Sequence, residues 1–341
     1  MDIAETLRRL LGGSSLDSEG AEALFESIFA GRLNEAQIAS ALSLMQCREP
    51  TVVEIASAAR VMRRHAHRVE APADGVPLVD TAGTGGTRKI FNVSTASAIV
   101  AVAAAPGRVR IAKHGNRSRT GRGSAEVMAA LGVNIEASAE VQARCLRELG
   151  VSFSFAVQHH PAARHAAGVR KSLGFPTIFN LVGPLTNPAG ATRQVMGVYA
   201  QRWVEPIAQV LLELGAERAL VLHSEDGLDE ISLGAPTRVA EVHGGKVGTW
   251  VLDPRTLGLA PATIDELEVH SLEEAADVVR RVLHGERGPR AETVAIATAA
   301  TLLVADAAAD LGEGLEMARR AMGNGSAART LSDLVRISNE R

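Results

Sequence analysis

The chain has 341 residues, 46% of them apolar, enough for one large core or two smaller ones. Its 36 Lys and Arg against 39 Asp and Glu leave a formal net charge of −3, and only 3% of residues are aromatic. That balance excludes a protein that coats nucleic acid by charge, and two cysteines exclude a disulfide framework and point to a reducing compartment.

The N-terminus, MDIAETLRRLLGG, lacks the apolar centre of a signal peptide, and no apolar run approaches the roughly 18 residues of a membrane span. A soluble, cytoplasmic protein without a membrane partner is expected. Residues 1–71 read as a helical domain. Ile38, Leu42 and Met45 recur at helical spacing, as do Ile55, Ala58 and Met62. Asn34 with Gln37, and Thr51 with Glu54, have capping-box spacing and mark two helix starts. PADGVP, at 72–77, is a turn-rich linker. From residue 76 to 341, short apolar runs (Pro77–Val79, Val109–Ala112, Val151–Phe155, Ala219–Leu222) alternate with Ala-rich helical stretches. This predicts an α/β domain with a mostly parallel central sheet flanked by helices. KSLGFPTIFNLVGPLTNP interrupts the alternation, and a segment near 171–190 is expected to return to the helical domain. The tail from Leu272 to Ser332 is again helical, with a loop at Gly285–Arg290.

Four motifs carry chemistry. Asp80-Thr-Ala-Gly83-Thr84-Gly85-Gly86-Thr87 follows a predicted strand and precedes Asn92-Val-Ser94-Thr95-Ala96. Glycines let several N–H groups converge on an anion, and the helix starting near Ser94 favours phosphate at its N-terminus. A plain Gly-rich turn is the competing reading. Lys113-His114-Gly115-Asn116-Arg117 runs into Ser118-Arg119-Thr120-Gly121-Arg122-Gly123-Ser124. With Arg108 and Arg110 this stretch gathers cations and hydroxyl donors suited to a polyphosphate, or else forms a solvated basic loop. Asp226-Gly227-Leu228-Asp229-Glu230 ends another strand, where paired carboxylates suit Mg²⁺ delivered with a phosphate; alone, such a sequence is an acidic turn. His159-His160-Pro161-Ala-Ala-Arg164-His165 invites zinc, but no cysteine or carboxylate completes a tetrahedral set. A substrate wall beside Arg170, whose guanidinium matches a carboxylate, fits better than an ordinary surface ion pair. Cys47 and Cys145 lie in helical patterns and read as packing residues.

These motifs, in this order, resemble the anthranilate phosphoribosyltransferase family: GTGG…FNVSTA, KHGNR…GSAEVMAALG, HHPAARH…VRKSLG, TIFNLVGPLTNPA and HSEDGLDEIS, after a similar helical start. The resemblance covers nearly the whole chain. It implies a small helical N-terminal domain beside an α/β domain, and a homodimer joined through the helical domains. It also implies transfer of phosphoribosyl from phosphoribosyl pyrophosphate (PRPP) to anthranilate, with Mg²⁺, in tryptophan biosynthesis. On this resemblance Gly83, Gly86, Asn92, Ser94, Thr95 and Lys113 would hold PRPP, and the hydroxyls of Thr84, Thr87, Ser118 and Thr120 extend that set. Asp229 and Glu230, with Ser94, would hold Mg²⁺. Asn116 and Arg170 would face anthranilate, with Gly83, His114, His160 and Gly183 along its path. The weakly basic arylamine needs no strong base, so no general base is assigned.

Three stretches depart from the family pattern. GTGGTRKIFN is one residue shorter than the usual GTGGDG form, with Thr87 in place of an aspartate. SRTGRGSAE replaces a serine-rich loop and introduces arginines, and VHSLEEAAD stands where the family has GGDAxEN. Thr87, Arg88 and Lys89 make the first loop more cationic, which suits direct contact with pyrophosphate. Two rival readings stay open: a paralogue with another acceptor, such as a pyrimidine-nucleoside phosphorylase of the same fold, and a non-catalytic relative that binds nucleic acid.

Overall fold

The computed structural model describes residues 1–88 and 90–340. Four helices open the chain: α1 (Ile3–Leu11), α2 (Ser18–Phe29), α3 (Glu35–Arg48) and α4 (Val52–Arg64). Both expected capping boxes are present, Asn34 with Gln37 and Thr51 with Glu54. Each satisfies N–H groups that the first helical turn leaves without partners, worth about 1 kcal/mol. Ile38, Leu42, Met45 and Ile55 are fully buried between these helices. Glu54 is buried too, held by the Leu16 N–H at 2.8 Å and by Arg48. Cys145 is buried as expected, whereas Cys47 is exposed on α3, because the buried stripe of that helix falls on Ile38, Ala41, Leu42 and Met45.

The α/β part then runs β1 (Leu78–Asp80), α5 (Val93–Ala104), β2 (Arg110–Gly115), α6 (Ser124–Ala130), α7 (Ala139–Glu148), β3 (Val151–Phe155) and α8 (Ala156–His159). Next come α9 (Arg164–Leu173) and α10 (Ile178–Val182), which pack on the N-terminal helices: α9 on α2 and α3, α10 on α4. The chain continues through β4 (Arg193–Gly197), α11 (Val204–Glu213), β5 (Arg218–Ser224), β6 (Thr237–His243) and β7 (Lys246–Leu252). It ends with α12 (Ile264–Leu267), α13 (Leu272–Leu283), α14 (Pro289–Val304), α15 (Leu311–Gly323) and α16 (Ser326–Asn339).

One seven-stranded sheet, ordered β3-β2-β1-β4-β5-β6-β7, organises this part. β1 to β5 pair in parallel, and β5-β6-β7 pair antiparallel. Four of these strands coincide with the predicted apolar runs; β4 and the β6–β7 hairpin were not anticipated. The hairpin does carry a sequence signal: Gly244 and Gly245, at φ +57° and +73°, form a tight turn between two alternating runs. Period-two alternation sorts the two faces. Leu220 and Leu222 of β5 join the core built with α5 and α13–α16, while Ala219 and Val221 join the core built with α11 and the N-terminal helices. No helix among the described residues is long and apolar enough to cross a membrane. The loops after β1, β2, β4 and β5 leave the sheet at one edge, the carboxyl ends of its parallel strands, where open α/β sheets bind ligands.

Candidate active site

The first glycine loop lies against the ends of β4 and β5. The Thr84 N–H donates to the Gly197 carbonyl at 2.9 Å, and the Tyr199 N–H donates to the Thr84 hydroxyl at 2.9 Å. Gly85 and Gly86 take φ of +60° and +97°, a region that favours glycine. A Cβ on Gly83 would sit 3.1 Å from the Gly197 carbonyl and 3.7 Å from Asp229 Oδ2, so this bare backbone stands close to the acidic turn. The Thr87 hydroxyl donates to Asp229 Oδ1. Asp229 and Glu230, both half-buried, thus share one corner with Gly83 and Thr87.

Lys113 lies under this loop instead of projecting from it. Its side chain is 2% exposed, and Nζ donates to the Thr81 carbonyl at 2.9 Å and to Ser94 Oγ at 3.2 Å. The neighbouring Asp80 carboxyl accepts from the His114 N–H, and burial raises it to about 6, against the opposing pull of Asn187 and Lys113. Asn92 caps α5 without a side-chain bond to the helix; its Nδ2 donates to the Arg122 carbonyl at 3.3 Å. Asn92 Oδ1 and Thr95 Oγ1 are buried with no hydrogen-bond partner among the described residues. Buried polar atoms left in that state call for a ligand or water.

In the second loop, the Ser118 and Thr120 hydroxyls lie 3.0 Å apart, and the Arg122 N–H donates to Ser118 Oγ. Asn116 is exposed beside them; its Oδ1 accepts from the Arg117 N–H. Gly115 has no room for a side chain, since a Cβ would lie 2.2 Å from Ser124 Oγ.

Behind this loop the His114 and His160 rings lie against each other at a tilt of 59°, with centroids 5.1 Å apart. Burial pushes His114 well below the usual histidine range, and His160 to about 4, so both imidazoles are neutral at pH 7. His114 Nε2 and His160 Nδ1 are likewise buried without partners among the described residues. The three histidines of the HHPAARH motif diverge: His159 bonds the His67 carbonyl, His160 approaches Thr186, and His165 packs on Gly31. Arg170 sits half-buried on α9 with its guanidinium 5.0 Å from the Phe179 ring centre, and no acidic side chain among the described residues pairs with it. Backbone at Gly183 faces open space.

One expectation fails. Arg88 does not point at the anion loop: its Nε donates to Glu268 Oε1 at 2.8 Å and its Nη2 to Asp265 Oδ1 at 2.8 Å. Two carboxylates satisfy its charge, which a neutral loop could not do. Lys89 lies outside the described residues. Sequence reasoning also passed over Gly197, whose Cβ position would overlap the Asp229 carbonyl at 1.7 Å. A glycine closing a strand, two residues before an aromatic one, was the available signal.

Residues 75–328 match the a/b domain of a glycosyl transferase family, and residues 4–66 match the helical bundle domain of a glycosyl transferase family. The chain is 45% identical over 342 residues to the anthranilate phosphoribosyltransferase of Halorhodospira halophila, covering 100% of this chain and 99% of that one. It is 46% identical over 337 residues to that of Thioalkalivibrio sulfidiphilus, covering 98% of each. The crystal structure of anthranilate phosphoribosyltransferase from Thermus thermophilus superposes with a TM-score of 0.92 at 40% identity, over 100% of both chains. The Saccharomyces cerevisiae enzyme, solved in complex with PRPP and Mg, shares the fold with a TM-score of 0.88 at 24% identity, covering 98% of this chain and 97% of that one.

Proposed function

The chain belongs to the anthranilate phosphoribosyltransferase family, and on that premise we propose that it transfers the phosphoribosyl group of PRPP to the amino nitrogen of anthranilate, releasing pyrophosphate, as a step of tryptophan biosynthesis. The observation that carries the reading is the meeting of the glycine loop, through Gly83 and Thr87, with the Asp229–Glu230 corner at the carboxyl edge of the sheet.

On the donor side, Gly83, Thr84, Gly86 and Thr87 offer backbone and hydroxyl donors to pyrophosphate, and the start of α5 at Asn92, Ser94 and Thr95 adds its dipole. Ser118 and Thr120 extend the set. Lys113 holds Thr81 and Ser94 in place and lends positive charge from beneath. Ser94, Asp229 and Glu230 would hold Mg²⁺. The donor set suits that ion, since a hydroxyl and two carboxylates all offer oxygen. Mg²⁺ usually takes one or two carboxylates and completes its sphere with water and substrate phosphate. When bound, it neutralises charge on the departing pyrophosphate.

On the acceptor side, Arg170 pairs with the anthranilate carboxylate, and Asn116, Gly83 and Gly183 line its approach. The neutral His114 and His160 provide a wall that adds no competing cation. The C1–nitrogen bond forms as the C1–oxygen bond to pyrophosphate breaks, and the amine then releases a proton to water. Positioning and electrostatics do the work, and no residue acts as general base. A homodimer through the helical domain completes the reading, and Leu11, 73% exposed at the end of α1, offers a position at which to test that face.

Product analysis with PRPP, Mg²⁺ and a panel of aromatic amines tests the function. Phosphoribosyl-anthranilate is the expected product; turnover with another amine and none with anthranilate would overturn the assignment. Asp229→Asn with Glu230→Gln keeps size and removes charge. The double variant should stay folded by thermal melting and lose Mg²⁺-dependent turnover, and near-normal activity at ordinary Mg²⁺ would remove these residues from the metal site.

A further inference from the structure

Two of the stretches that depart from the family pattern meet in space at the α12 segment, which leads into the third at Val269. Arg88, in the first, reaches two of the three carboxylates of the α12 segment, Asp265 and Glu268. The backbone of the same loop is tied there as well: the Phe91 N–H donates to the Leu267 carbonyl at 3.2 Å, and Ile90 forms a bridge with Glu268. Arg122, in the second stretch, donates from Nη1 to the carbonyl of Val269, the first residue of the third. Asn92 Nδ2, donating to the Arg122 carbonyl, joins the two loops directly. The α12 segment is itself anchored. Leu267 and Val269 are each 1% exposed in the core, and Arg290 of α14 donates to the Glu266 and Glu268 carbonyls at 3.1 and 3.0 Å.

We propose that the segment Ile264–Val269, with Glu268 as its anchoring acid, is a clasp that holds both substrate loops in place for the donor, and that Arg88 and Arg122 are positioning residues that bind this clasp and not phosphate. This rests on the reading of those loops as the PRPP site. A loop rich in glycine loses much backbone freedom when it closes on a ligand. Fixing it in advance removes part of that cost from binding. The arginines introduced in the two loops and the acids of the α12 segment are then parts of one device. Arg88 is 53% exposed, Asp265 81% and Glu268 23%, so each pair is individually weak and the expected effects are moderate.

Glu268→Ala, Arg88→Ala, Arg88→Lys and the Glu268→Ala/Arg88→Ala double variant test this. PRPP affinity is measured by calorimetry with Mg²⁺, alongside kcat, both KM values and the thermal midpoint. Glu268→Ala and Arg88→Ala should each weaken PRPP binding about three- to tenfold, with kcat and the anthranilate KM within about twofold of wild type. The double variant should be no worse than the weaker single, because both remove one contact. Arg88→Lys should recover part of the loss. If Glu268→Ala unfolds, Asp265→Ala, at the more exposed acid, replaces it. Unchanged PRPP affinity in the alanine variants overturns the clasp. Tighter binding in Glu268→Ala also overturns it, since an Arg88 that bound phosphate would be released by losing its acid. A wild-type protein that neither binds PRPP nor makes product instead overturns the functional reading, and the clasp with it.

Discussion

Arg170 is a half-buried guanidinium that rests on the Phe179 ring with no acid beside it among the described residues, and burial lowers its proton affinity. A cation kept in that state favours an anionic ligand, and a planar guanidinium suits a carboxylate. Arg170→Ala should therefore raise the anthranilate KM with the PRPP KM little changed; a charged hydrogen bond of this kind is worth about 1.5–3 kcal/mol. Arg170→Lys should rescue poorly, because ammonium lacks the planar fork. Loss confined to the PRPP KM would move Arg170 to the donor side. Gly197 shows the opposite constraint at this scale: the Asp229 carbonyl fills the place of its side chain, so backbone contact seats the acidic corner against the end of β4. Thr87 adds a hydroxyl donor to Asp229 and no further negative charge.

The edge formed by β2, β3 and α8 holds three histidines, His114, His159 and His160, each pushed below the usual range chiefly by burial. Groups whose folded pKa is depressed stabilise the fold above the unfolded value and lose that contribution as pH falls. For His160 the window runs from 6.5 down to about 4. That span corresponds to about 3 kcal/mol as an upper figure. Asp80 acts the other way, since its carboxyl is raised to about 6 and favours the folded state on acidification. Three bases against one acid predict a net loss of stability between about pH 6.5 and 4. Thermal midpoints across that range should fall, and His160→Gln should flatten the slope. A midpoint independent of pH would show that these rings are not held neutral by the fold. At the same scale, the capping boxes of α3 and α4 appear where residue spacing placed them, because a cap is made within four residues. β4 escaped notice because its five residues, RQVMG, show little apolar run.

For the whole molecule, two large cores share one sheet. Light scattering should report a dimer, and Leu11→Glu should shift it toward monomer while kcat per chain is retained. A monomeric wild type would remove the helical face as an interface. The sequence by itself determined the helical start, the α/β alternation, the family and the residue types at the anion loops and acidic turn. Each of those is written within a few residues, as a cap, an apolar period or a contiguous motif. The tertiary structure alone decided the direction of the added charges. Arg88 is 180 residues from Glu268, and Arg122 is 147 from Val269. Nothing local distinguishes an arginine that will meet phosphate from one that will meet a carboxylate or a carbonyl; the partner that satisfies its charge is set by which distant segment the fold brings alongside it.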